Sequence, residues 1–136
     1  MTEPQPYELW LQRAESNLII ASTAKREKVF LEDLCFEAQQ AAEKALKALL
    51  IFQSGDYPKK HSFTLLLAML EEWVTLPDEI REVIEISDYS VQTRYPGDYY
   101  PISEEEYVRA VELAARVVGW VKNQLPGIHS SGSEDE

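Results

Sequence analysis

Residues 36–50 read FEAQQAAEKALKALL. At about 100° per residue, this stretch and its flanks form one helix with an apolar side and a polar side. The apolar side holds Cys35, Ala38, Ala42, Ala45, Leu46, Leu49 and Phe52, and the polar side holds Glu37, Gln40, Glu43, Lys44 and Lys47. The pattern predicts a core helix. Its polar side is either a solvated surface with ion pairs such as Glu43 with Lys47, or a surface that recognises a ligand.

The rest of the chain repeats its apolar residues at helical spacing, so we predict an all-α fold. The predicted helices are residues 7–24, residues 31–54, one that begins after Ser62, one opened by Pro77, and one from Ser103 to about Leu125. Glycine at position 55 is placed to end the second helix, and Ser103 can form a capping box with Glu106.

The later helices have apolar faces of different widths. The predicted third helix carries the apolar residues Phe63, Leu66, Leu67, Leu70 and Trp73, and the fourth carries Ile80, Val83 and Ile84. The last helix carries apolar residues over a wide arc, which predicts that it is central to the bundle or shared with a second subunit.

The 136 residues suit one domain, which we place at residues 1–126, followed by a disordered acidic tail at residues 127–136. The net charge of −11 argues against broad binding to nucleic acid. Cys35 has no second cysteine to pair with, which favours a buried thiol in a reducing compartment. Neither a membrane span nor a secretory signal is evident, so we expect a soluble, cytoplasmic protein.

The sequence contains no strong catalytic or metal-binding signature, because it lacks a phosphate-binding glycine loop, paired cysteines and a histidine cluster. A weaker candidate is His61, which follows Lys59 and Lys60 and precedes a helix start, where an anion such as phosphate could bind. The alternative is a solvated loop.

A second candidate is the loop around Arg94, which cannot be regular helix because it contains Pro96, Gly97 and Pro101. Arg94 could pair with a phosphate while the neighbouring Tyr95, Tyr99 and Tyr100 stack on a base. Alternatively, the tyrosines pack the loop onto the bundle and Arg94 pairs with a carboxylate.

Four motifs together resemble the HEPN domain (higher eukaryotes and prokaryotes nucleotide-binding), over about residues 7–125. They are Trp10-x3-Ala14-x2-Asn17-Leu18, the 36–50 helix, Lys60-His61-Ser62, and Ser90-x3-Arg94-Tyr95-Pro96. The resemblance implies an up-and-down bundle of four to five helices, frequently a homodimer, and commonly encoded beside a minimal nucleotidyltransferase.

Many members of the wider superfamily are metal-independent ribonucleases or toxins, in which an arginine and a histidine a few residues later form the site. Here Arg94 is followed at that spacing by Tyr99, Tyr100 and Pro101. Tyrosine, with a pKa of about 10, is a poor proton shuttle at neutral pH. The resemblance also suggests, by analogy, that Tyr99 or Tyr100 receives a nucleotidyl group.

The leading hypothesis is a small dimeric module of a toxin–antitoxin-like system that binds a nucleotide such as ATP, or a nucleotidyltransferase partner, without further cofactor or metal. The predicted contacts are Lys44, Lys47, Lys60, His61, Arg94 and Tyr95. The alternative is a ribonuclease acting on RNA, with Arg94 and His61 as catalytic candidates. A third possibility is a purely structural partner of the transferase.

Overall fold

The computed structural model describes residues 3–23, 27–60, 62–90 and 102–126. These residues form an all-α bundle of five helices: α1 (Pro6–Ala21), α2 (Leu31–Ser54), α3 (Phe63–Leu70), α4 (Asp78–Arg81) and α5 (Glu104–Gln124). A 3-10 segment, Glu82–Ser90, continues directly from α4. The predicted fold class is therefore confirmed. The predicted tail at 127–136 and the loop around Arg94 lie outside the described residues.

Helix α2 is the centre of the bundle, and it contacts α1, α3, the 3-10 segment and α5. Its buried apolar residues include Cys35 and an almost continuous run from Ala45 to Leu50. The helix has the predicted bounds. It ends where Gly55 adopts φ +87°, a left-handed conformation that glycine reaches without a steric penalty from Cβ.

Helices α1 and α2 are antiparallel neighbours. The ring of Tyr7, at the start of α1, meets that of Phe52, near the end of α2, edge-on at 5.0 Å. Helix α1 ends at Ala21, three residues before the predicted end. Ser22 follows, and its hydroxyl donates to the Leu18 carbonyl at 2.8 Å, a local bond that competes with continuing the helix.

Helix α5 is held by its predicted capping box. The Glu106 amide donates to Ser103 Oγ at 3.0 Å, and the Ser103 amide donates to Glu106 Oε1 at 2.9 Å. Its wide apolar arc is explained within one chain, because α5 packs on α2, α1 and the 3-10 segment. The Tyr107 hydroxyl donates to the Ala21 carbonyl at 2.5 Å and thereby satisfies one acceptor at the end of α1.

The predicted third helix is too long, and two apolar residues assigned to the third and fourth helices are exposed. Trp73 is 50% exposed, because α3 ends at Leu70 and Trp73 falls in the following turn. Ile84 is 44% exposed, whereas Ile80 of α4 and Val83 and Ile86 of the 3-10 segment are buried. The segment has non-helical backbone angles at Ile86, with φ −101° and ψ 17°, so the chain kinks there. Among the described residues, no helix is long and apolar enough to cross a bilayer.

Candidate functional site

The start of α1 and the middle of α2 border a half-open cavity of about 490 Å³, which we call the Trp10 cavity. Its lining residues are Pro4, Pro6, Leu9, Trp10, Arg13 and Lys44. The walls are mainly apolar, and two cationic side chains are the charged part of the lining. A small, mainly apolar volume with a few polar groups is typical of sites that bind small molecules.

Local sequence explains how α1 shapes this cavity. Proline at position 6 suits the first turn of a helix, and Glu8 Oε1 accepts a hydrogen bond from the Gln5 amide at 2.6 Å. This bond fixes the approach of the chain at Pro4 and Pro6. Trp10 and Arg13 are three residues apart and therefore lie on one face of α1, opposite Lys44 of α2.

The two cations of the lining are available to a ligand. Within residues 3–23, 27–60, 62–90 and 102–126, neither Arg13 nor Lys44 forms an ion pair or a side-chain hydrogen bond. Lys44 is half-buried and Arg13 is exposed. An anion in the cavity would therefore not have to displace a carboxylate of these residues from either side chain.

Trp10 is fixed by contacts behind the cavity. Its ring meets the ring of Tyr57 edge-on at 5.0 Å. Lys47 Nζ lies 5.7 Å from the centroid of the Trp10 ring and 5.5 Å from that of Tyr57. Such distances allow a cation–π attraction to both rings. The tryptophan wall is thus held by both α2 and the loop that follows it.

Lys47 belongs to a buried polar chain along α2. Lys47 Nζ donates to Glu43 Oε2 at 2.8 Å, and Gln39 Nε2 donates to Glu43 Oε1 at 2.9 Å. Gln39, Glu43 and Lys47 are 2%, 2% and 4% exposed. The predicted Glu43–Lys47 pair is present, but the interpretation of these two residues as part of a solvated surface was wrong, because α1 and Tyr57 cover them.

The same side of α2 makes a second polar contact with α1. Asn17 Nδ2 donates to Glu37 Oε1 at 2.6 Å. The other amide atom, Asn17 Oδ1, is buried and accepts no hydrogen bond within the part of the chain that the structure describes. The polar side of α2 is therefore largely an interface with α1.

A different charged cluster joins α5 to the 3-10 segment. Arg109 pairs with Glu82 and Glu85, each at 2.9 Å, and Arg116 pairs with Glu82 at 3.0 Å. Hydrogen bonds from Arg116 and then Arg109 lower the pKa of Glu82, and one from Arg109 lowers that of Glu85. The pKa of Arg109 is raised by Glu85 and Glu82.

A cavity of about 330 Å³ adjoins this cluster, but its chemistry differs from that of the Trp10 cavity. Its lining includes Glu85, Glu105 and Glu106, together with Arg109, whose guanidinium is already paired. This composition does not suit an anionic ligand. Among the described residues, no group of three or more His, Cys, Asp or Glu side chains could hold a metal ion.

The residues predicted from sequence fall in different places. Lys44 lines the Trp10 cavity, Lys47 lies behind it, and Lys60 is exposed on the loop after Tyr57. The remaining predicted residues, His61, Arg94, Tyr95, Tyr99 and Tyr100, lie outside the described residues. The structure does not test whether any of these contacts a ligand.

Sequence reasoning missed the cavity-lining roles of Trp10 and Arg13. Trp10 entered the sequence analysis as part of a family motif, and an aromatic residue in a helix normally packs in the core. The available signal was a cation three residues after a tryptophan on the same helix face. That signal is weak by itself, because helix surfaces commonly carry arginine.

Comparison with known proteins identifies the family. The HEPN domain family matches residues 7–124 of this chain. The fold is similar to the crystal structure of TT1696 from Thermus thermophilus, with a TM-score of 0.73 and 32% sequence identity, covering 88% of this chain and 98% of that one. No curated protein matches.

A second solved structure, ST0689, is described as an archaeal HEPN homologue. It has a TM-score of 0.68 and 31% identity, covering 89% of this chain and 98% of that one. The sequence match spans nearly all of the described helices, and two structures repeat their arrangement. The chain therefore belongs to the HEPN domain family.

Proposed function

We propose that this HEPN protein binds a nucleotide, free or carried by a partner enzyme, in the Trp10 cavity. The observation that carries the proposal is an apolar wall beside two cations, Arg13 and Lys44, that have no ion-pair partner among the described residues. A nucleotide has the same two parts, a flat base and an anionic phosphate.

The apolar part of the cavity suits a base. Trp10 offers an indole ring, and stacking of a base on an aromatic side chain contributes about 1–3 kcal/mol. Pro6 and Leu9 add apolar surface beside it. Since Tyr57 and Lys47 already hold the tryptophan, little ordering of the ring is needed when a ligand arrives.

The charged part of the cavity suits a phosphate. The whole chain carries a net charge of −11, so a cavity whose described lining has two cations and no acidic side chain is a local exception. Arginine and lysine both donate charge-assisted hydrogen bonds to phosphate oxygens. Lys44 is thus a direct contact in this proposal, whereas Lys47 acts through Trp10.

The other predicted contacts extend the same proposal. Lys60 follows Tyr57 by three residues, so its backbone lies within about 10 Å of a residue that touches Trp10. His61, Arg94 and Tyr95 would complete the phosphate and base contacts if their segments approach this side of the bundle. These three assignments rest on the sequence.

Calorimetric titration with ATP, AMP and GTP, with and without magnesium, tests the proposal. We expect binding by the wild type and a loss of about tenfold or more in Lys44→Ala, because one charge-assisted contact is removed. Lys28→Ala is the matched control, since it removes the same charge from the exposed turn before α2.

Absence of heat with every nucleotide, or equal affinities for both variants and the wild type, would refute nucleotide binding at this cavity. Cleavage of RNA by the purified wild type but not by Arg94→Ala would instead support the ribonuclease alternative.

The proposal also includes assembly, as a homodimer and as the partner of a nucleotidyltransferase in a toxin–antitoxin-like pair. Exposed apolar side chains support a protein contact at the end of the bundle that carries Ile19 and Phe30, which are 72% and 73% exposed. Sedimentation of the purified chain should give twice the mass of 15.6 kDa. A monomer at micromolar concentration, unchanged by Phe30→Glu, would refute the homodimer.

A further inference from the structure

We propose that the Trp10 cavity selects nucleoside monophosphates over nucleoside di- and triphosphates. The inference rests on the proposed function and adds the class of nucleotide. The base would stack on Trp10, and a single phosphate would pair with Arg13 and Lys44.

The number of cations sets the charge that the cavity neutralises. A phosphate monoester carries about −1.5 to −2 at neutral pH. Arg13 and Lys44 supply two positive charges, and the other four described lining residues, which are proline, leucine and tryptophan, supply none. One terminal phosphate is therefore matched, while each added phosphate brings negative charge that this lining does not neutralise.

The surroundings of the cavity disfavour a longer phosphate chain. Glu3 is exposed and directly precedes the lining residue Pro4, and Glu8 lies on the first turn of α1 between Pro6 and Leu9. Glu8 also accepts the hydrogen bond of the Gln5 amide, so this backbone donor is not free for a β- or γ-phosphate. Glu3 and Glu8 add negative charge next to Pro4 and Leu9 in the chain, which weakens the attraction of this segment for a polyphosphate.

The volume of the cavity and the fixed position of Trp10 suit a small ligand with one flat ring system. About 490 Å³ is toward the lower part of the range of about 300–1,000 Å³ for small-molecule sites. Trp10 is held in place by Tyr57 and by Lys47, which is itself paired with Glu43. A fixed tryptophan reduces the ordering cost of stacking a base on it.

The test compares AMP, ADP, ATP and adenosine by calorimetry at one ionic strength, without magnesium and then with it. We expect AMP to bind about tenfold or more tightly than ATP, and adenosine to bind about tenfold or more weakly than AMP. In Lys44→Met and Arg13→Met, the affinity for AMP should fall about tenfold while that for adenosine stays unchanged. Lys28→Met should behave as the wild type.

Two results would overturn the inference, and they differ in what they say of the proposed function. If ATP binds as tightly as AMP and both depend on Lys44, the cavity binds nucleotides but does not select by phosphate number. If no nucleotide binds, the proposed function fails and the selectivity fails with it. Circular dichroism of both methionine variants shows whether the bundle remains folded.

Discussion

Replacing Lys47 by methionine tests whether water is excluded from the Lys47–Glu43 ion pair behind Trp10, as the burial of both side chains indicates. The side chains of Lys47 and Glu43 are 5% and 3% exposed, and their charged atoms are 2.8 Å apart. Methionine keeps most of the aliphatic stem but removes the cation. Glu43 then keeps its hydrogen bond from Gln39 and loses its ion pair with Lys47 within a buried environment.

Removing one partner of a buried ion pair typically costs about 3–5 kcal/mol, because an uncompensated charge remains buried. Lys47 also loses its contacts with two aromatic rings, although the methionine thioether partly replaces them. We therefore expect Lys47→Met to lower the free energy of unfolding by about 3–5 kcal/mol. For a domain of this size, the melting temperature should fall by roughly 10 °C or more.

Urea denaturation of Lys47→Met, Glu43→Gln and the double variant measures the coupling. In the double variant neither charge remains, so much of the lost stability should return. Lys44→Met is the matched control, because it removes the same charge from a half-buried lysine with no partner among the described residues. Its effect should stay within about 0.5 kcal/mol.

A loss below about 1 kcal/mol in Lys47→Met would contradict this expectation, since that value is typical of solvent-exposed ion pairs. The cover provided by Trp10 and Tyr57 would then not exclude water from Glu43.

Three further predictions concern the rest of the bundle. Val83→Ala should lower the free energy of unfolding by about 2 kcal/mol, while Ile84→Ala should change it little, as measured by urea denaturation; equal losses would contradict the difference in burial between the two side chains. Ser103→Ala should cost about 1 kcal/mol of stability by thermal unfolding, since it removes the α5 cap; no change would mean that the cap is replaced by water. Arg109→Met should destabilise the bundle at neutral pH, and the difference in stability from the wild type should shrink as the pH falls below about 4.5. The reason is that the lowered pKa values of Glu82 and Glu85 give stability that is lost when these carboxylates are protonated. A difference in stability that is constant across this pH range would exclude the ion pairs as its source.

Local signals in the sequence were sufficient for several element boundaries. Gly55 ends α2 because its backbone adopts a positive φ, and Ser103 begins α5 because its side chain and that of Glu106 cap each other. Each of these two helix-end interactions involves residues that lie within a few positions of one another in the sequence. Such interactions need no knowledge of what packs against the helix, so they were predictable.

The errors share a different cause. Ile84 was grouped with Ile80 and Val83 as an apolar residue of the fourth helix, yet it is exposed whereas those two are buried. Trp73 was placed on a helix that ends earlier. Both errors concern properties that depend on packing against the rest of the bundle, which a sequence pattern does not show.

Periodicity and motifs were enough for the all-α class, for the core position of the 36–50 helix and for the resemblance to the HEPN domain. Packing between helices fixes a different property, which is the set of polar residues on α2 that face a neighbour. A helical wheel gives the direction of Lys44 and Lys47 but not what lies above them. Because α1 crosses this side with Trp10, Lys47 is buried behind the indole, while Lys44 is left beside Arg13 at a cavity.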